Sequence, residues 1–376
     1  MTHSRLLLLS AMAVAALVAV APACGSDDDQ GAAPTCTPPV GIVDLATAKA
    51  LAPTLDKLCL VAAGGDGGTV VPMGRSMPYD LVSPLFSDYM LKTRTVAVPA
   101  GAAATYDADT VFSFPPGTAI TKTFAYAEDL RSPDQKRHLV ETRVMLRTAT
   151  EWLALPYLWN AEGTVARLSV GGTIKPLSFT GADGATLSMN YLVPNANQCI
   201  KCHEDLGRNE LIGPKARNLN RDFAYADGTE NQLAHWTRLG LLAGAPEPAS
   251  APRLAAWDDT SETVERRARS WIEINCAHCH NPNGAGRTSG LVLWAGEQNP
   301  AVYGVCKSPV AAGPGSGDLS FDITPGHADQ SILVHRMRST DPAVMMPELG
   351  RAVVHEEGVA LVESWINQLP GSCPAP

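Results

Sequence analysis

The sequence predicts a multidomain α+β chain, with an N-terminal β-sandwich-like domain over residues 72–195 and mainly α-helical regions over 196–255 and 256–376. Three observations predict it. Polar and apolar residues alternate with period two through much of the stretch from Pro72 to about Val193. Two five-residue segments of the form Cys-x-x-Cys-His follow it, at Cys199–His203 and Cys276–His280. Apolar residues at helical spacing then lead into the second segment and recur near the C-terminus.

In chain order, Arg5, the apolar run Leu6 to Val20 and the small residues Ala21-Pro22-Ala23 have the three-part form of a secretory signal over 1–23. That run falls short of the roughly 20 residues of a membrane-spanning helix. Cys24 resembles the acceptor cysteine of a bacterial lipoprotein, with Gly25 to Gly31 as its polar tether, although Ala21-Pro22-Ala23 would also suit ordinary signal cleavage. Residues 24–71 read as tether and short helical segment, the helix over Asp44 to Leu60, with a hinge at Gly64 to Gly68.

Nine cysteines suit an oxidising compartment. Four lie in the repeated motif and Cys24 is the lipidation candidate. The remaining four pair by neighbourhood as Cys36–Cys59 and Cys306–Cys373, with two other connectivities open. A net charge of -9 excludes nucleic acid as a natural partner and suits docking to a basic protein face.

Within 72–195, Val140, Thr142, Val144 and Leu146 alternate with Glu141, Arg143, Met145 and Arg147, the pattern of a half-buried strand. Turns are expected at Pro115-Pro116-Gly117, Glu162-Gly163, Gly171-Gly172 and Gly181 to Gly184. Trp152, Tyr157 and Trp159 read as sandwich core, with a carbohydrate- or partner-binding face as the alternative. Beyond the first motif a helix is expected from Glu230 to about Leu242, then a Pro/Ala linker over 246–252. Asp259 and Glu262 suggest a capping box before a helix with Val264, Ala268, Trp271 and Asn275 on one face. A closing helix, Glu356 to Leu369, carries Val359, Leu361, Val362, Trp365, Ile366 and Leu369.

Cys-x-x-Cys-His is the spacing for covalent haem attachment: two thiols add across two vinyl groups of one porphyrin, and the next His reaches the iron. Two copies predict two covalently bound haem c groups, held by Cys199, Cys202 and His203 and by Cys276, Cys279 and His280. A shared zinc site is the competing reading of two Cys-x-x-Cys pairs; thioredoxin-like chemistry would need a βαβ context that is absent.

Residues 260–376 resemble a class I cytochrome c, in which a helix enters the motif, a Met-Pro follows and a last helix closes the domain. Most of the chain is similar to a group of proteobacterial dihaem c-type cytochromes, through Ser87-Asp88-Tyr89, Pro194 to Cys199 and Met345 to Arg351. The resemblance implies that the first and last helices pack together, with Trp271 and Trp365 in the contact, and that 196–255 and 256–376 are cytochrome c haem regions. It also implies a methionine ligand before Pro347, Met346 ahead of Met345. A thioether binds Fe(II) well and raises the potential.

The first site has no methionine between His203 and Trp257, so His235 is the leading sixth ligand, followed by Met189 or an open position. His278 is pinned between two cysteines, and His327, His335 and His355 read as surface residues. These features predict a dihaem electron carrier serving periplasmic or membrane redox partners, attached to the membrane only through an N-terminal lipid. The alternative is a dihaem peroxidase-type oxidoreductase with an open first haem and Glu204, Asp205 or His235 as its acid–base groups. A third class is a binding protein whose β domain does the work.

Overall fold

In a computed structural model, residues 36–37, 44–310 and 313–375 are described. The signal 1–23 and Cys24 lie outside them. The β region is a single six-stranded antiparallel meander: β1 (Met77–Tyr79), β2 (Leu91–Ala97), β3 (Ala119–Ala127), β4 (Arg137–Arg147), β5 (Trp152–Trp159) and β6 (Ala166–Leu168), in that spatial order. A separate hairpin follows, β7 (Thr173–Thr180) with β8 (Thr186–Val193). The expected sandwich is therefore corrected to one large sheet whose covering layers are mostly not sheet.

One face of the meander packs under helix α1 (Leu45–Leu51) and the turn after it. Ala48, Ala52, Leu55 and Leu58 join Ala119, Val144, Leu155, Tyr157 and Trp159 in one cluster, and the Tyr157 hydroxyl donates to Ala52 O at 3.0 Å. Hydroxyls inside this layer satisfy one another, Thr95 with Thr121 at 2.7 Å and Thr123 with Thr142 at 2.8 Å. The short helical segment is thus a covering layer, not part of a tether.

The opposite face is also covered. The β7–β8 hairpin supplies Leu177, Phe179, Met189, Tyr191 and Val193 against Phe124 and Val140. Segments 211–242 supply Ala216, Leu219, Leu233, Trp236 and Leu242 against Tyr79, Val96, Ile120 and Met145. Glu141, expected to face solvent, is fully buried, and β4 is buried on both faces.

The expectation of mainly α-helical haem regions is overturned. Region 196–255 holds α2 (Ala196–Cys202), α3 (Ala216–Leu219) and α4 (Gln232–Arg238), none longer than seven residues, among short strand pairs such as Asp222–Tyr225 with Gly228–Asn231. Region 256–376 holds α5 (Val264–Cys276), α6 (Pro300–Tyr303), α7 (Ile332–Arg338) and α8 (Glu356–Gln368), joined by long irregular loops. Proline and glycine explain it. Pro282, Gly284, Gly286, Gly290, Gly296, Pro300 and Gly304 alone interrupt the chain too often for helix to propagate.

α5 begins at Val264 under a Thr263 cap rather than at an Asp259 capping box, because Asp259 accepts from Ser261 N instead. α5 and α8 share one apolar cluster that includes Trp271 and Trp365. Gly358 lets α8 approach: a Cβ there would lie 2.6 Å from Trp271 Cε2. Cys36–Cys59 and Cys306–Cys373 are disulfide-bonded, with Cα separations of 5.5 and 5.1 Å. Among the described residues no helix is long and apolar enough to cross a membrane.

Leu155 is 1% exposed between the sheet and the α1 layer. Leu155→Ala is expected to destabilise the chain by roughly 2–5 kcal/mol through lost transfer energy and a residual cavity. An unfolding free energy, from urea titration, that falls by less than a tenth of that would show that the α1 layer does not form a packed core.

Candidate functional site

The first motif sits on α2, placed directly after β8. Asn195 caps it reciprocally: its Oδ1 accepts from Gln198 N at 2.8 Å, while Gln198 Oε1 accepts from Asn195 N at 2.9 Å. Cys199 and Cys202, three residues apart, share one helix face. His203 ends the helix, and its Nδ1 lies 2.8 Å from Glu210 O. A carbonyl can only accept, so Nδ1 carries the proton and Nε2 keeps a free lone pair. Burial pulls the His203 pKa down to about 4, so the ring is neutral at pH 7.

The second motif repeats this logic on different supports. Cys276 is the last residue of α5, and burial pushes its thiol up to about 12. His280 Nδ1 lies 2.9 Å from Ser289 Oγ, whose own hydroxyl donates to Gly286 O at 2.7 Å. Ser289 therefore accepts from Nδ1–H, and Nε2 is again the free nitrogen. Burial first, then the neighbouring His278, lowers the His280 pKa to about 4.

The two motifs lie against each other. Leu206 N donates to Asn283 O at 3.1 Å, and Arg287 pairs with Glu204 at 3.2 Å. Donor atoms of Cys202, His278 and Cys279 all fall within 4.8 Å of one another. Cys279 Sγ donates to Lys201 O at 3.8 Å, and the closeness of the two thiols draws Cys202 down and Cys279 up.

A cleft runs from the sheet to the C-terminal region, lined by Cys199, Cys202, His203, His278 and Met346 among others. Met346 is held by its backbone: its N–H donates to Arg336 O at 3.0 Å, and Arg351 Nη2 donates to its carbonyl at 2.9 Å. Met345 is buried but does not line the cleft. No family model, no curated protein and no solved structure matches this chain.

Two candidate ligands lie elsewhere. His235 is buried with its ring stacked on Tyr225 at 3.5 Å and Nδ1 2.7 Å from Glu230 Oε2, and it does not line the cleft. Met189 belongs to the apolar cluster under the β7–β8 hairpin. Glu204 is engaged with Arg287, and Asp205 lies in a two-residue strand pair.

His355, expected at the surface, is a buried cleft residue, stacked on Phe86 at 4.4 Å and accepting from Trp271 Nε1 at 3.0 Å through Nδ1. No sequence signal marked it, because its neighbours come from Phe86, Trp257 and Trp271. Asp88 was legible only as part of a shared tripeptide. Its buried carboxylate accepts from Ala352 N at 2.6 Å and Val353 N at 3.0 Å, tying the segment after Met346 to the sheet region.

Burial lowers the His355 pKa from 6.5 to about 4, against the opposing pull of Glu357. The unfolded chain then binds the extra proton first, so this stability is present above pH 6.5 and is lost as pH falls toward 4. His355→Phe is expected to lessen the fall in unfolding free energy between pH 7 and pH 5 by about 2 kcal/mol. An unchanged pH slope in paired urea titrations would mean that His355 is not buried as a neutral ring.

Proposed function

We propose that this chain is a dihaem c-type cytochrome that carries electrons at the periplasmic face of a bacterial membrane, held there by a lipid on Cys24. The observation that carries this reading is that both Cys-x-x-Cys-His segments present a neutral histidine with Nδ1 engaged and Nε2 free. That is what an iron ligand requires, and it occurs twice on unrelated local supports. Each bound haem would supply a one-electron Fe(III)/Fe(II) couple.

The residues then have distinct tasks. Cys199 and Cys202, like Cys276 and Cys279, form the thioethers that fix a porphyrin to the chain. His203 and His280 bind iron through Nε2. Met346, whose loop Arg351 holds, is the thioether candidate from the C-terminal side. The contact between the two motifs supports electron exchange within the chain, from a donor to an acceptor protein.

A second reading has one observation behind it: Cys202, His278 and Cys279 could hold a zinc ion as three of four tetrahedral ligands. It leaves Cys199, His203, Cys276 and His280 without a task, although the two histidines are oriented as ligands. The haem reading accounts for them all except His278.

Pyridine haemochrome of the exported protein is expected to give two haems per chain, and Cys199→Ser with Cys202→Ser to give one. A colourless chain carrying zinc would reverse the assignment. Met346→Ala is expected to lower the potential of one haem while Met345→Ala leaves both in place; the opposite result reassigns the ligand. In the oxidised protein two low-spin EPR signals are expected, whereas a high-spin signal altered by peroxide would replace electron transfer with peroxidase chemistry.

A further inference from the structure

The cleft is cationic in a chain whose net charge is -9. Among the described residues its lining holds Arg94, Lys122, Arg143, Lys215 and Arg351 against Glu273 as the one acidic residue. Three of these cations stand in a single row across the sheet. Arg94 on β2 is directly opposite Lys122 on β3, and Lys122 is directly opposite Arg143 on β4. Like charges in register on neighbouring strands oppose folding, so the row needs anions.

The chain's own acids answer only part of that need. Glu141 holds Arg143 by two hydrogen bonds, at 2.6 and 2.9 Å. Asp80 meets Arg94 Nη1 at 3.1 Å but is shared with Arg221. Arg94 is only 5% exposed, and its Nη2 is buried without a hydrogen-bond partner among the described residues. Lys122 makes no ion pair or hydrogen bond among them; its ammonium lies 4.8 Å from the Phe124 ring. Burial, reinforced by Arg94, Lys92 and Arg143, holds its pKa well below the usual lysine range. A half-buried cation of this kind is favoured as a charge by an anion beside it.

We infer that the row Arg94–Lys122–Arg143 is a carboxylate-binding site, and that its occupant is the pair of propionate groups of the haem attached at Cys199 and Cys202. The inference rests on the haem reading above and deepens it. Arg94 Nη2 and Lys122 Nζ are the free donors for the carboxylate oxygens, and the cleft that exposes them also exposes Cys199, Cys202 and His203. The sheet is then the floor of the first haem site rather than a spacer or docking module, and it sets that haem's potential. A cation beside the propionates disfavours the more positive ferric state and raises the potential.

The test uses the exported holoprotein carrying Lys122→Met, with Lys122→Gln as a second variant if the first does not fold, and Lys122→Arg as the conservative one. Haemochrome must first give two haems per chain; fewer in the unmutated protein defeats the haem reading itself. With two present, Lys122→Met or Lys122→Gln is expected to make one haem about tenfold harder to reduce, 59 mV for a one-electron couple. The other haem should be unmoved, and Lys122→Arg should restore the potential. Potentials unchanged in Lys122→Met or Lys122→Gln overturn the inference while leaving the haem reading intact. A spin-state change at the first haem also overturns it, since Lys122 would then be an iron ligand. Succinate, as probe for a free carboxylate, is expected to leave both potentials of the unmutated protein unchanged. A saturable shift with succinate would assign the row to a diffusible anion and overturn the propionate assignment.

Discussion

The connection between β1 and β2, residues 80–90, is the constraint on which the rest of the molecule depends. Gln232 bonds Asp80 from both ends of its amide, at 2.8 Å each. Ser83 and Asn218 exchange bonds at 2.9 and 3.1 Å. Phe86 N donates to Asn275 Oδ1 at 2.8 Å, Asp88 takes two backbone N–H groups from 352–353, and Tyr89 donates to Glu357 at 2.7 Å. One loop therefore fixes α4, α3, α5, the loop after Met346 and α8 relative to the sheet. These bonds offset a local cost, because Asp88 and Tyr89 both sit at positive φ, 52° and 57°. The Asp88 carboxylate is also buried and its pKa raised by that burial, so the loop is stable only while its partners are docked.

This arrangement explains why the second motif cannot be treated as a free-standing module. Asn275, one residue before Cys276, is spent on the sheet loop, and Glu273 is buried against Arg217 of the first region while accepting from Ala295 N at 2.9 Å. α5 thus has two jobs, carrying a motif cysteine and clamping the first region in place. The apolar α5–α8 contact supplies the cohesion, and the polar bonds supply the register.

What could be read from the sequence was what is encoded within a few residues. The two motifs and the faces of α5 and α8 follow from local spacing, and both disulfides join cysteines that neighbour one another by region. What escaped was decided by partners far along the chain. Arg143 and Glu141 look solvent-facing because they alternate with apolar residues, yet they neutralise each other under a layer contributed by 173–193. His235 differs in that its partners are local: Glu230, five residues away, and Tyr225 engage its ring. The Asp227-Gly228 pair was a readable hairpin signal in a stretch otherwise assigned to loop and helix. Helix length was overestimated where proline and glycine density, rather than apolar spacing, decided the outcome.

The remaining asymmetry between the two motifs is one of surroundings rather than of chemistry. Both histidines are neutral and held through Nδ1, so the local apparatus is the same. The first motif faces a cleft floor of stacked cations drawn from β2, β3 and β4, whereas His280 is held in a loop closed by Ser289 and Gly286. On the haem reading, this row of cations would bear on the first couple, and the contact between the motifs would give electrons a short path. In this reading the large sheet works electrostatically: it sets three cations in register, Arg94 buried and Lys122 and Arg143 half-buried, a cost that anions completing the row would offset.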